Sequence, residues 1–127
     1  MARILVIEDD QRIRELVCEH LAGEGHTVTS ESTGMGGLRA TTSVAPDLLI
    51  LDLGLPDLEG LDLLKMVRSV VEVPVLVLTA REDEITVLAA FDGGADDYVV
   101  KPVSGPQLSA RVSALLRRGG TEKADVL

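Results

Sequence analysis

Ile4-Leu5-Val6-Ile7-Glu8-Asp9-Asp10 is a run of four apolar residues that stops in three acids. A run this short, apolar at every position, reads as a strand buried on both faces rather than as a helix. The pattern returns at Leu48-Leu49-Ile50-Leu51-Asp52 and at Val75-Leu76-Val77-Leu78-Thr79. A shorter run, Tyr98-Val99-Val100, leads into Lys101-Pro102, and His26 to Glu31 alternates weakly, as a further strand would. Helical periodicity fills the gaps. Ile13, Leu16, Val17, His20 and Leu21 share one face, with Asp10 placed to cap it and Gly23 and Gly25 to stop it. Leu61, Leu64, Met66, Val67 and Val70 predict a helix over 60–70. Another runs to Asp92, before Gly93-Gly94, and Leu108, Val112, Leu115 and Leu116 mark the last. Gly34, Gly36 and Gly37 weaken a helical reading of residues 33–44.

Buried strands alternating with helices imply a parallel sheet covered on both faces. The expected class is α/β, a flavodoxin-like doubly wound (βα)5 three-layer sandwich with a five-stranded sheet in the order 2-1-3-4-5. Residues 1–118 form the expected domain. From Gly119 periodicity is lost, and 119–127 reads as a linker or tail leading to a further domain.

Composition narrows the function. The chain has 127 residues, 46% apolar and 26% charged, the mix of an ordinary folded domain. Twelve Lys and Arg against 21 Asp and Glu give a net charge of −9, which disfavours direct binding to nucleic-acid phosphates. With no Trp and single Tyr and Phe residues, a base-stacking surface is not expected either. Cys18 is the sole cysteine, so no internal disulfide forms. No signal-peptide layout or membrane-length apolar run is present, and a cytoplasmic protein without membrane contact is expected. His20, His26 and Cys18 lack partners at metal spacing and read as ordinary helix or loop residues. Arg117-Arg118 reads as a helix-end charge pair. The glycines of 34–37 have no following Lys-Ser/Thr and do not read as a phosphate loop.

In such sheets ligands bind at the carboxyl ends of the strands. Glu8, Asp9, Asp52, Thr79 and Lys101 stand there. Three converging carboxylates need a cation, and oxygen-only ligands suit Mg²⁺. A hydroxyl and an ammonium suit the oxygens of a phosphoryl group. Asp52 is then a candidate nucleophile, since a carboxylate can accept phosphate as an acyl phosphate.

These residues resemble the receiver domain of bacterial two-component response regulators, from Arg3 to about Arg118. The resemblance is carried by residues 4–10, by Asp47-Leu48-Leu49-Ile50-Leu51-Asp52-Leu53-Gly54-Leu55-Pro56-Asp57, by Gly60, by Leu78-Thr79-Ala80 and by Gly94-Ala95-Asp96-Asp97-Tyr98 through Lys101-Pro102. It implies that Asp52 is the phosphoacceptor for a sensor histidine kinase. It implies Mg²⁺, with Mn²⁺ or Ca²⁺ able to substitute, held by Asp9, Asp52 and the Gly54 carbonyl, with Glu8 acting through water. It assigns Thr79, Ala80, Lys101 and Tyr98 to phosphate binding and switching, and a cis bond to Pro102. Ala80-Arg81, Asp96-Asp97-Tyr98 and Ala110-Arg111 resemble the OmpR/PhoB-type receivers of winged-helix transcription factors. That branch implies a homodimer through the fourth helix, fifth strand and fifth helix, here Asp96, Asp97, Arg111, Arg118, Val87 and Phe91, with DNA reached only through a domain outside this chain. Val87 and Ala89 replace the usual bases on the fourth helix, Gln107 a usual Glu, and Val103 a usual Phe. No turnover beyond the domain's own phosphorylation and dephosphorylation is expected.

Three rivals are weighed. A haloacid-dehalogenase-type phosphatase wants a second Asp where Gly54 stands. A flavin binder wants a hydroxyl- and glycine-rich loop where Glu8-Asp9-Asp10 stands. An atypical, phosphate-independent receiver acting as a protein-interaction module is the remaining alternative.

Overall fold

The computed structural model describes residues 1–119. Ten elements alternate along them: β1 (Arg3–Ile7), α1 (Gln11–Gly23), β2 (Thr27–Glu31), α2 (Gly34–Ser43), β3 (Leu48–Leu51), α3 (Gly60–Val70), β4 (Val75–Thr79), α4 (Glu84–Asp92), β5 (Asp97–Val100) and α5 (Gly105–Gly119). All strand pairs are parallel, in the order β2-β1-β3-β4-β5. This is the expected flavodoxin-like order. Of the expected tail, Gly119 closes α5 and 120–127 lie outside the described residues. No helix among the described residues is long and apolar enough to cross a membrane.

Strand side chains alternate between two cores. Ile4, Val6, Leu48, Ile50, Leu76 and Leu78 pack under α1 and α5, against Val17, Leu21, Leu108, Val112, Leu115 and Leu116. Leu5, Ile7, Leu49, Leu51, Val75 and Val77 pack under the other three helices, against Ala40, Leu63, Leu64, Val67 and Ala90. This explains the unbroken apolar runs: each successive residue enters one core or the other.

Two helical faces differ from their periodicity. On α1, Leu16 is exposed, and Val17 and Leu21 carry the packing. On α3 the buried stripe is Gly60, Leu63, Leu64 and Val67, so Leu63 joins the core while Met66 and Val70 face out. Gly60 allows this seating, because any Cβ there would enter the backbone of Leu53.

The segment α2 is a helix despite its glycines. Thr33 Oγ1 accepts the Gly36 N–H at 3.0 Å, and the Asp57 carboxylate accepts those of Gly34 and Met35 at 2.7 and 2.9 Å. Those bonds satisfy donors that a helix start otherwise leaves unpaired. A Cβ at Gly37 would lie 2.5 Å from the Ile7 side chain, so the glycine lets α2 press against β1. Just beyond α2, exposed Ala45 adopts a left-handed φ of 52°.

Candidate functional site

The four strands β1, β3, β4 and β5 end at one edge of the sheet and bring the expected residues together. Glu8 and Asp52 follow β1 and β3 directly and are only 3% and 6% exposed. Thr79 ends β4 and is buried; Lys101 follows β5. The Lys101 ammonium lies 2.7 Å from Glu8 Oε1 and 3.0 Å from Asp52 Oδ2, bridging the two acids. Glu8 Oε2 accepts the Asp10 N–H at 3.1 Å, and Asp52 Oδ1 accepts the Gly54 N–H at 3.2 Å. Asp9 is exposed at the mouth, and it, Glu8 and Asp52 each place a carboxylate oxygen within 4.8 Å of the others.

The electrostatics differ between the two buried acids. Desolvation pushes the Glu8 carboxyl up to about 7, against the opposing pull of Lys101 and the Asp10 N–H. Burial works against the Asp52 charge too. There the Gly54 N–H, Lys101 and the Thr79 hydroxyl win and hold the carboxyl below the usual carboxylate range. Burial also opposes the Lys101 charge, but Glu8 and Asp52 outweigh it and raise its pKa. With all three acids ionised, the single ammonium leaves two negative charges uncompensated on hard oxygen donors. That donor set and charge fit Mg²⁺.

Around this centre the β4–α4 loop is tied down. The Arg81 N–H donates to Thr79 Oγ1 at 3.4 Å, and the Tyr98 hydroxyl donates to the Arg81 carbonyl at 2.6 Å. The Arg81 guanidinium reaches Glu59 and Thr86, both at 3.1 Å. Tyr98 therefore touches the loop that follows Thr79 and carries exposed Ala80. The Lys101–Pro102 bond is cis, as expected. Asp10 caps α1 through the Ile13 N–H at 3.1 Å.

The residues expected at a dimer face have the following surroundings within the chain. Asp97 pairs within the chain with Arg111, at 3.0 and 2.9 Å. Asp96 accepts the Val75 N–H at 2.8 Å and pairs with Arg68 at 2.9 Å. Arg118 is exposed in the last turn of α5, and Val87 is half-buried. On α4, Ile85, Leu88 and Phe91 form an outward stripe, 82%, 59% and 44% exposed. The Phe91 ring lies 6.4 Å from that of Tyr98.

Three contributors escaped the sequence reading. Arg14 donates to the carbonyls of Glu8 and Asp9, Arg68 to those of Val73 and Gly94, and Asp57 holds the start of α2. Both arginines bind backbone carbonyls, which no residue pattern displays. Asp57 was visible as part of the motif after Asp52, but not its partner helix.

Comparison with known proteins agrees with this geometry. The model of the response regulator receiver domain matches residues 4–113. Transcriptional regulatory protein AfsQ1 of Streptomyces coelicolor is 42% identical over 125 residues, covering 98% of this chain and 56% of that protein. Transcriptional regulatory protein KdpE of Mycobacterium tuberculosis is 44% identical over 118 residues, covering 93% and 52%. The chain thus spans about half the length of these curated relatives. Among solved structures, a CheY-like receiver domain protein from Methanospirillum hungatei superposes with a TM-score of 0.92 at 27% identity, covering 96% of this chain and 98% of that one. The BeF3-activated receiver domain of Klebsiella pneumoniae RstA gives 0.87 at 28% identity, covering 91% and 98%. Motif order, strand-end chemistry and these matches converge: the chain belongs to the response regulator receiver domain family, in its OmpR/PhoB-type branch.

Proposed function

We propose that this domain takes a phosphoryl group from the phosphohistidine of a sensor kinase onto Asp52. The observation that carries the reading is the buried Lys101 ammonium bridging Asp52 and Glu8 beside the exposed Asp9 carboxylate. An Asp52 oxygen bonds to phosphorus as the P–N bond to the kinase imidazole breaks. The low pKa of Asp52 keeps it ionised for that attack. Asp9, Asp52 and the Gly54 carbonyl would hold Mg²⁺, with Glu8 acting through water, and Mn²⁺ or Ca²⁺ would substitute. When bound, the ion neutralises charge on the transferred oxygens. Lys101 supplies a second positive charge on the same side. Activation of the RstA receiver by BeF3, a phosphoryl mimic, supports the reading by kinship.

In this proposal Thr79 moves toward the phosphoryl group and draws on the Arg81 N–H and, through the Arg81 carbonyl, on Tyr98. The two arrangements are a population that phosphorylation shifts, because it favours the one it contacts better. The readout is the α4/β5/α5 face, controlling homodimerisation and, through a DNA-binding domain outside this chain, transcription. The exposed Ile85-Leu88-Phe91 stripe supplies apolar contact where Val87 and Ala89 replace basic residues. We place the protein in the cytoplasm, with no substrate turnover beyond its own phosphate cycle.

The test is intact mass after incubation with Mg²⁺ and acetyl phosphate, beside an Asp52→Asn control. One phosphoryl group gained by the wild type alone is expected. No gain with any divalent metal would turn the reading to a phosphate-independent interaction module acting through the α4 stripe.

A further inference from the structure

We propose that Arg14 is a positioning residue for the metal-binding loop, its guanidinium holding the backbone that presents the Asp9 carboxylate. The inference rests on the metal-dependent reading above. Of the three clustered acids, Glu8 is fixed by Lys101 and the Asp10 N–H, and Asp52 by Lys101 and the Gly54 N–H. Asp9 is different. It is exposed, and among the described residues its carboxylate has no hydrogen-bond partner. Its position is therefore set by the backbone beneath it.

That backbone leaves β1 where the Glu8 N–H donates to Glu31, and joins α1 where Asp10 O accepts the Arg14 N–H. Between these points the carbonyls of Glu8 and Asp9 converge on one atom, Arg14 Nη1, at 2.9 and 3.2 Å. The anchor itself is firm, because Val17 and Leu21 bury α1 against the sheet. Arg14 forms no ion pair among the described residues, so carbonyl binding is its visible work. Charged donors to carbonyls are among the stronger hydrogen bonds, and groups that orient metal ligands without touching the metal commonly govern affinity.

Charge alone makes the opposite forecast. A guanidinium beside a cation site repels the cation, so its removal would tighten binding. The sign of the change therefore separates positioning from electrostatics. The experiment is calorimetric titration of the chain with Mg²⁺, without phosphodonor, on wild type, Arg14→Met and Arg14→Gln. A metal-free thermal melt checks that each variant is folded, and the glutamine variant serves if the methionine one is not. Positioning predicts weakening of about tenfold, and at least about threefold, on a folded protein. Unchanged, tighter or less weakened binding overturns the inference and leaves the proposed function standing. Absence of Mg²⁺ binding by the wild type would overturn that function and this inference together.

Discussion

Arg68→Ala is expected to unlock three segments at once. The guanidinium sits where α3 ends, β4 begins and α4 turns into β5. It donates to Val73 O at 2.7 Å, to Gly94 O at 2.6 Å and, at a longer 3.5 Å, to Val71 O. It also pairs with Asp96 at 2.9 Å, with side-chain exposures of 25% and 42%. The two short carbonyl bonds involve a charged donor and are worth about 1 kcal/mol each after discounting for partial exposure. The ion pair adds about 0 to 1 kcal/mol, as exposed pairs do. Arg68→Ala is thus expected to destabilise the domain by about 2–3 kcal/mol, which for a chain of this size lowers Tm by roughly 8–12 °C. Urea unfolding of wild type, Arg68→Ala, Asp96→Asn and the double variant separates the parts. Asn at 96 retains an acceptor for the Val75 N–H, so the Arg68–Asp96 coupling should stay near or below about 1 kcal/mol. A total loss under about 1 kcal/mol, or a coupling that accounts for most of it, would refute carbonyl capping as the main role of Arg68.

Further outcomes are expected. Ala45→Gly should stabilise by about 0.5–1 kcal/mol, because Ala45 is exposed and left-handed after α2, whereas Gly94→Ala should destabilise by about 1–3 kcal/mol, its φ being 112° with Arg68 Nε 2.9 Å from a Cβ; urea midpoints check both signs. Asp57 is held below its usual pKa by the N–H groups of Met35 and Gly34, and Asp83 by the Thr86 hydroxyl and N–H. Folded pKa values that are depressed give stability that is present above the unfolded value, about 4, and lost as pH falls through the folded ones; urea midpoints from about pH 4.5 to 2.5, below the range where Glu8 titrates, should show this, and Asp57→Asn should flatten the slope. Lys101→Met removes the ammonium from between Glu8 and Asp52, so it should tighten Mg²⁺ binding in calorimetry while abolishing the mass gain from acetyl phosphate.

Strand positions and strand-end chemistry were legible because both are contiguous: three or four apolar residues, then an acid, a hydroxyl or a lysine. Convergence of Glu8, Asp52, Thr79 and Lys101 follows from parallel topology alone, since every strand ends on the same edge. What stayed hidden depends on contacts across the chain. The helix α2 looked weak by propensity because its support, Asp57, lies 23 residues from Gly34. The buried stripe of α3 shifted because Gly60 lets the helix start sit against Leu53, bringing Leu63 inward and turning Met66 and Val70 out. Arg14 and Arg68 act on carbonyls, and the pairing of Asp96 with Arg68 needs α3 folded beside the start of β4. The intrachain pairing of Asp97 with Arg111 likewise needs α5 folded beside β5.

The bridging of Glu8 and Asp52 by Lys101 has a consequence for biosynthesis. A chain emerging from the ribosome makes Glu8 first and Lys101 last among these groups, at a pace of about 5–20 residues per second. Until β5 docks on the sheet edge, the two buried acids have no ammonium between them, and burying unpaired like charges is strongly unfavourable. The Glu8–Asp52 pair is therefore settled only when the final strand has been added. A product that stops short of Lys101 keeps both acids but lacks the cation that settles them, so truncated copies are expected to be less stable than complete ones.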